Sequence, residues 1–402
     1  MRTFFWTGCI SYLLIGLAHV IIGALMPELL AHYGKDYSAG GQLVALQFFG
    51  FLIGVLAGPW FSQKLGKRGA LLVSLFCMAL GEMVFFTLPP WGIVLAIAPL
   101  AGFGFGMVET IIGAVVIGHF EESRKTVAMA RIEVFFGVGA LVMPLLVSLF
   151  IAAGWWRGSF LALSLLSLLV FVLWAVLPLG RMSAVMAKSA SNAVQAGAVP
   201  SFKGLPGGLI GLLTLFIVIF ALYVGAEMSV ANFLPSIMIE NVGVKPEIGA
   251  LSVTCFWGAM AVGRLFAAQL AGRWGKARYL LVSCASGAAV LSLFAMADTV
   301  FSSYALVLLL GLLMSGMFAV ALVYANGFFP GMEERITSIL IASGGVGGAL
   351  IPLLTGWCMD QLSVSVALWV LVTLYVLLLA LVYGASRMRF RAKAANVSSP
   401  RV

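Results

Sequence analysis

Seven ionisable side chains stand inside otherwise apolar stretches of this chain: His19, Glu82, Glu109, Arg131, Glu133, Glu227 and Arg264. In a hydrocarbon surrounding such groups are costly, so each calls for a function or a partner. Proton carriage is the chemistry that buried carboxyls and imidazoles offer, because their protonation can change near neutral pH when water is excluded. Glu109 is the leading candidate, set in the glycine-rich run Gly102-Phe103-Gly104-Phe105-Gly106-Met107-Val108-Glu109-Thr110. Glu227 and His19 follow, 208 residues apart, each starting a stripe of i+4 steps that ends in proline: His19, Gly23, Pro27 and Glu227, Ala231, Pro235. Such a stripe lies along one helical face. The competing reading of each is a hydrogen-bonding group satisfied between helices. Arg131 and Glu133 are two residues apart and cannot face each other on one helix, so each is expected to pair elsewhere, Arg131 with Glu109. Arg264 reads as a latch near the inner end of its helix and Glu82 as a packing residue.

Uncharged groups suggest the cargo. A sugar needs hydrogen-bonding side chains and an apolar face for its C–H groups. Gln47, Asn232 and Asn326 supply amides, and Phe48, Tyr223 and Trp257 supply rings, though rings in a membrane protein also serve packing and lipid contact.

The elements that position these groups follow from composition. Of 402 residues, 62% are hydrophobic and 9% charged, and mean hydropathy is +1.13. No soluble interior of this size hides that much apolar surface, whereas lipid lets the exterior be apolar too. About 20 apolar residues cross the hydrocarbon core. Such runs fall near 5–31, 39–63, 69–89, 92–118, 127–152 and 157–179, then near 208–239, 247–272, 278–298, 300–329, 335–358 and 363–386. The first is too long for a signal-peptide core and reads as a retained helix. An all-α membrane protein of twelve transmembrane helices is predicted: a six-helix bundle over 1–180, a cytoplasmic linker over 181–207, a second bundle over 208–388 and a basic tail over 389–402.

Charge sets the orientation. With the N-terminus inside, the inner loops and tail carry Lys64, Lys67, Arg68, Arg124, Lys125, Arg181, Lys188, Lys203, Arg273, Lys276, Arg278 and the tail's arginines, while the outer loops carry Lys35, Arg157 and Lys245. The positive-inside rule then places both termini in the cytoplasm, and the net charge of +9 reflects topology rather than nucleic-acid binding. The five cysteines form no C-x-x-C pair, and neither a disulfide framework nor a zinc site is indicated.

The two halves repeat. Leu25-Met26-Pro27 matches Phe233-Leu234-Pro235, and Gly137-Val138-Gly139 with Pro144 matches Gly345-Val346-Gly347 with Pro352, all offset by 208; Gly66-Lys67 matches Gly275-Lys276 at 209. A parallel repeat of two bundles implies a central cavity exposed to one side at a time as the bundles rock.

This architecture resembles the major facilitator superfamily. Gly58-Pro59 with Leu65-Gly66-Lys67-Arg68 is similar to that superfamily's cytoplasmic loop motif, with the usual aspartate missing. Within it the chain most resembles the fucose–galactose–proton symporter group, and there the bacterial glucose/mannose–proton symporters. The signatures are Gln47-Phe48-x-Gly50-Phe51-x-x-Gly54-Val55, Glu109-Thr110-x-x-Gly113, Glu133-Val134-x-Phe136-Gly137-x-Gly139-Ala140-Leu141, and Gly225-Ala226-Glu227-x-x-x-Ala231-Asn232-Phe233-Leu234-Pro235-Ser236-Ile237-Met238. The resemblance implies a role for Glu109 in sugar binding or proton coupling. The group's fucose permease has an aspartate just before the shared Leu-x-Pro, where this chain has Gly23; His19, one turn earlier, is the nearest titratable substitute.

The expected function is proton-coupled import of a hexose such as glucose or mannose. Glu109, Glu227 and His19 would couple protons, Gln47, Asn232, Trp257, Asn326 and Tyr223 would bind substrate, and Arg131, Glu133 and Arg264 would form a charge network. The alternative is a proton-antiporting exporter of a drug, peptide or secondary metabolite. The sequence offers no nucleotide-binding loop, metal-ligand cluster or hydrolytic triad, so neither an enzyme nor a cofactor or metal is expected. The expected partners are the sugar, protons and lipid, with no nucleic acid, and the expected state is a monomer in a bacterial cell membrane.

Overall fold

The computed structural model describes residues 2–119, 122–180, 182–187, 207–329 and 332–397. Most of the expected linker (188–206) and the last residues of the tail (398–402) lie outside the described residues. The helices run in the order α1 (Arg2–Ala24), α2 (Met26–Tyr33), α3 (Tyr37–Phe86), α4 (Trp91–His119), α5 (Glu122–Ala152), α6 (Gly158–Val176), α7 (Met182–Met186), α8 (Gly207–Val242), α9 (Pro246–Trp274), α10 (Lys276–Ala295), α11 (Val300–Met314), α12 (Met317–Asn326), α13 (Glu333–Gln361) and α14 (Val364–Val397).

Among the described residues eleven stretches are long and apolar enough to cross a membrane. One of them, α3, has 50 residues and reverses at Gly66, whose φ of 75° and ψ of 159° are not helical. A side chain there would be strained. Counting α3 as two crossings gives twelve spans, and both ends of the chain then lie on one side, here called the termini side. Gly275, between α9 and α10, has nearly the same backbone, φ 85° and ψ 143°. The Gly-Lys pairs of the sequence repeat therefore mark one turn used twice, in two six-helix halves. The last helix runs past the expected start of the tail at 389, to Val397; its Arg-, Lys- and Ala-rich end is made of good helix formers.

Glycine explains how closely the spans pack. A Cβ on Gly102 of α4 would land on the carbonyl oxygen of Gln47 in α3, and one on Gly50 of α3 would land on that of Pro99 in α4. The two helices meet backbone to backbone, as expected where no hydrophobic effect drives helices together. Arg68, from the loop motif, closes the first half differently. Its Nε donates to the Trp174 carbonyl at 2.7 Å and its Nη2 to those of Ala175 (2.8 Å) and Leu177 (3.3 Å). A cation on the orphan carbonyls at the C-terminus of α6 is favourable on both hydrogen-bond and dipole grounds.

Contacts across the halves gather toward the side away from the termini. At the start of α3, Asp360 of α13 accepts hydrogen bonds from the backbone N–H of Tyr37 (2.8 Å), the backbone N–H of Ser38 and the Ser38 hydroxyl. The Tyr37 hydroxyl donates to Glu240 Oε1 of α8 at 2.8 Å. Deeper in, Thr254 of α9 donates to the Leu141 carbonyl of α5 at 3.2 Å, and Gly23 of α1 lies against Asn232 of α8. These contacts close the far side of the space between the halves.

Candidate functional site

Between the halves lies a cavity of about 410 Å³, lined by His19, Phe48, Phe51, Glu109 and Phe136 from the first half and by Glu227, Met228, Trp257, Arg264, Ser315 and Phe318 from the second. That volume suits a small-molecule site. Four of the eight residues expected to couple protons or bind substrate therefore share one chamber: His19, Glu109, Glu227 and Trp257. The offset between His19 and Glu227 has a structural meaning, since equivalent positions of two facing bundles look into the same space.

The His19 ring is held edge-to-face by Phe48, Phe105, Phe136 and Trp257, with centroids 5.7, 5.8, 5.5 and 5.8 Å away. Glu227 is buried and backed by Tyr223, whose hydroxyl lies 3.2 Å from Glu227 Oε1 and 2.9 Å from the Met314 carbonyl oxygen. The phenol has one proton for two acceptors. A protonated Glu227 can donate to the phenol oxygen while the phenol donates to Met314; an ionised Glu227 competes for the phenol proton. On the other wall, the Tyr12 hydroxyl donates to the backbone carbonyl of Glu109 at 3.2 Å, fixing that turn of α4 against α1.

Arg264, read from the sequence as a latch near the inner end and part of a charge network, is solvent-exposed and lines the cavity, within electrostatic reach of His19, Glu227 and Glu133. It is thus a cation of one half acting on an acid of each half. Arg131 bears on Cys9 of α1, whereas the charge that bears on Glu109 is Glu133. Arg131 and Glu133 thus bear on different helices, Arg131 on α1 and Glu133 on α4, where Glu133 stands in the place expected of Arg131 beside Glu109.

The amides lie behind the walls. Gln47 is buried, and its Nε2 has no partner among the described residues. Asn232 Nδ2 donates to the Met228 carbonyl at 2.9 Å, one turn back in its own helix. Asn326, at the end of α12, donates through Nδ2 to the Thr337 hydroxyl of α13 at 2.8 Å, and its Oδ1 is unpartnered among the described residues. Glu82 is buried in the first half away from the cavity, with Oε2 unpartnered among the described residues.

Sequence reasoning missed one backbone feature of the site. The tenth span loosens between α11 and α12 at Ser315-Gly316, where Gly316 departs from regular helix geometry (φ −103°, ψ −3°), and both residues line the cavity. A loosened turn at mid-span can leave backbone groups within reach of a bound solute. The signal was a Ser-Gly pair inside an unbroken apolar run.

The sequence profile of the Major Facilitator Superfamily matches residues 8–228 and 215–399, essentially the whole chain. The chain belongs to the major facilitator superfamily. Its members are transporters rather than enzymes, and this protein is a multi-pass membrane transporter of that superfamily. A glucose/mannose transporter of Bacillus subtilis (strain 168) is 31% identical over 385 residues, which are 95% of this chain and 94% of that protein. Solved structures share the major facilitator fold. One is a bacterial homolog of the human lysosomal transporter Spinster in an inward-facing, unoccupied conformation, with a TM-score of 0.79, 11% identity, and 96% of this chain and 97% of that chain covered. Another is a D-xylose–proton symporter, with a TM-score of 0.76, 16% identity and coverage of 95% and 97%.

Proposed function

We propose that this protein imports a hexose of the glucose or mannose class together with protons, by alternating access across a bacterial cell membrane. The observation that carries the proposal is the shared chamber: titratable groups from both halves, Glu109 and Glu227, stand in one cavity with a cation, Arg264, and with rings fit to cover a sugar face. The likeness to a glucose/mannose transporter supports the choice of cargo.

In this reading the N-terminal bundle spans 1–180, the linker 181–207, the C-terminal bundle 208–388 and the tail 389–402. The termini side is cytoplasmic by the distribution of Lys and Arg, so the described state is closed to the outside. Glu109 takes the proton from the outside and releases it inside. Glu227, with Tyr223 behind it, registers the proton in the second half. Arg264 and Glu133 approach each other when the cytoplasmic side closes, replacing the contacts that Asp360 and Glu240 make now. Trp257 holds the sugar at the wall, and the amides of Gln47, Asn232 and Asn326 reach it only after their helices turn.

A second reading rests on the same walls. Phe48, Phe51, Phe136, Phe318, Met228 and Trp257 make much of the lining apolar, which also suits export of an amphipathic solute in exchange for protons. Radiolabelled glucose uptake into proteoliposomes, with and without an inward proton gradient and competed by a panel of sugars, separates the two. Gradient-stimulated uptake abolished by an uncoupler is the expected result. Folded protein that takes up no sugar would overturn the import reading in favour of efflux.

A further inference from the structure

The environment of His19 differs from that of a proton carrier. Its ring is packed edge-to-face by four other rings, contributed by α3, α4, α5 and α9. Among the described residues no hydrogen bond to it is found and no carboxylate is in direct contact with it. It is half-buried and lines the cavity. One of the four rings is Trp257, itself buried, whose Nε1 has no hydrogen-bond partner among the described residues. An indole N–H can only donate, while a neutral imidazole donates once and accepts once. The buried indole N–H is costly to leave unpaired, the imidazole beside it faces the cavity, and a ligand with hydroxyl groups would bond to both.

We propose that His19 and Trp257 form a subsite that reads hydroxyl groups of the substrate, making His19 a substrate-contact and specificity residue instead of a proton carrier. The ring clamp fixes the plane of the imidazole and therefore the direction in which its nitrogens meet the ligand. Trp257, packed edge-to-face against the imidazole, supplies a donor beside it. Because His19 belongs to the first half and Trp257 to the second, a hydroxylated ligand that bonds to both joins the halves. The inference rests on the hexose reading above, and it makes binding, not coupling, the property that His19 controls.

The test uses the full-length protein in proteoliposomes. Three quantities are measured: KM for glucose and for a series of mono-deoxyglucoses, counterflow, and gradient-driven accumulation at saturating sugar. His19→Phe keeps a ring in the clamp but removes both hydrogen-bonding functions; His19→Gln restores a donor and an acceptor. The expected result is a KM raised about tenfold in His19→Phe, the factor for one hydrogen bond of ordinary net strength. Accumulation at saturation should be retained and the KM largely recovered in His19→Gln. One deoxyglucose should lose affinity in the wild type but not further in His19→Phe. Trp257→Phe should behave alike, and the double variant should be less impaired than the product of the two singles.

Loss of uphill accumulation in His19→Phe with counterflow at the wild-type KM would overturn the proposal and make His19 a proton carrier. Unchanged KM for every sugar in both His19→Phe and Trp257→Phe would also overturn it, while leaving the import reading standing. No sugar uptake by the wild type would overturn the import reading and this subsite with it.

Discussion

Asp360 holds the far side of the cavity shut by capping a helix that belongs to the other half, and its removal tests whether that contact sets the resting state. The carboxylate accepts from two consecutive backbone N–H groups, those of Tyr37 and Ser38, and from the Ser38 hydroxyl. These N–H groups are among the four that the start of a helix leaves unpaired, and a carboxylate there is also favoured by the helix dipole. The helix does not depend on Asp360 to fold, because Asp36 is its own N-cap, accepting from the Ala39 N–H at 2.9 Å. What Asp360 adds is the bridge between halves. Hydrogen bonds to a charged group contribute about 1.5–3 kcal/mol net. Asp360 is only half-buried, so water replaces part of what is lost, and about 2 kcal/mol is the figure to expect. That shifts the ratio of far-side-closed to far-side-open protein by roughly 30-fold. Asp360→Ala should show the full shift, and Asp360→Asn, which keeps one acceptor, a smaller one. The assay is labelling by a membrane-impermeant maleimide from the far side. The target is a cysteine at cavity position Ala319, in protein whose five native cysteines are replaced. Asp360→Ala should label many-fold faster than its parent. Equal labelling rates, in variants that fold and bind as before, would refute the view that this contact determines which side is closed.

Other outcomes follow from the same geometry. Glu109→Gln should abolish gradient-driven accumulation while counterflow persists, and full uphill uptake would remove Glu109 from the coupling role. Arg68→Ala should lower thermal stability in detergent by about 1–2 kcal/mol, through loss of its contacts with the end of α6, with little effect on KM. Gly102→Val should cost roughly 3 kcal/mol or more and yield aggregated protein, because the new Cβ would meet the Gln47 carbonyl. Gly137→Ala, where nothing lies within 4 Å of the added Cβ, is the matched control and should behave as the parent does in size-exclusion chromatography.

The spans were legible in the sequence because lipid leaves little freedom: an apolar run of the right length is a crossing, and a Gly-Lys pair between two runs is a reversal. Gly66 and Gly275 bear this out, with one turn conformation at two positions 209 apart. The repeat also made part of the site legible. His19 and Glu227 were matched by offset alone, and two facing bundles put matched positions into the same cavity. Which way a side chain points around its helix was harder to read. Each residue turns about 100° around the axis, so a small error in the facing angle moves an amide from the cavity wall to the space behind it. Gln47 and Asn232 sit there, one unpartnered at its nitrogen and the other bonded back along its own helix. The clamp around His19 was not readable at all, because its rings come from four helices distant in sequence.

Arg264 shows why depth along a span is a poor guide in a protein of this kind. Counted from the end of its apolar run, it belongs near the inner surface, where an arginine is ordinarily an anchor. It lies along the cavity between the halves, however, exposed at that level while facing acids of both halves. An arginine there costs little in the state described, and its cost changes when the cavity closes. Closure strips water from Arg264 and leaves it dependent on a carboxylate, since a buried charge is tolerated only when paired. Glu133 on the opposite half and Glu227 on its own are the available partners, and only an ionised partner will do. In the proposed symport cycle, protonating one of these acids before closing would therefore change which closed state is accessible, and the proton would act through the arginine on the movement of the halves.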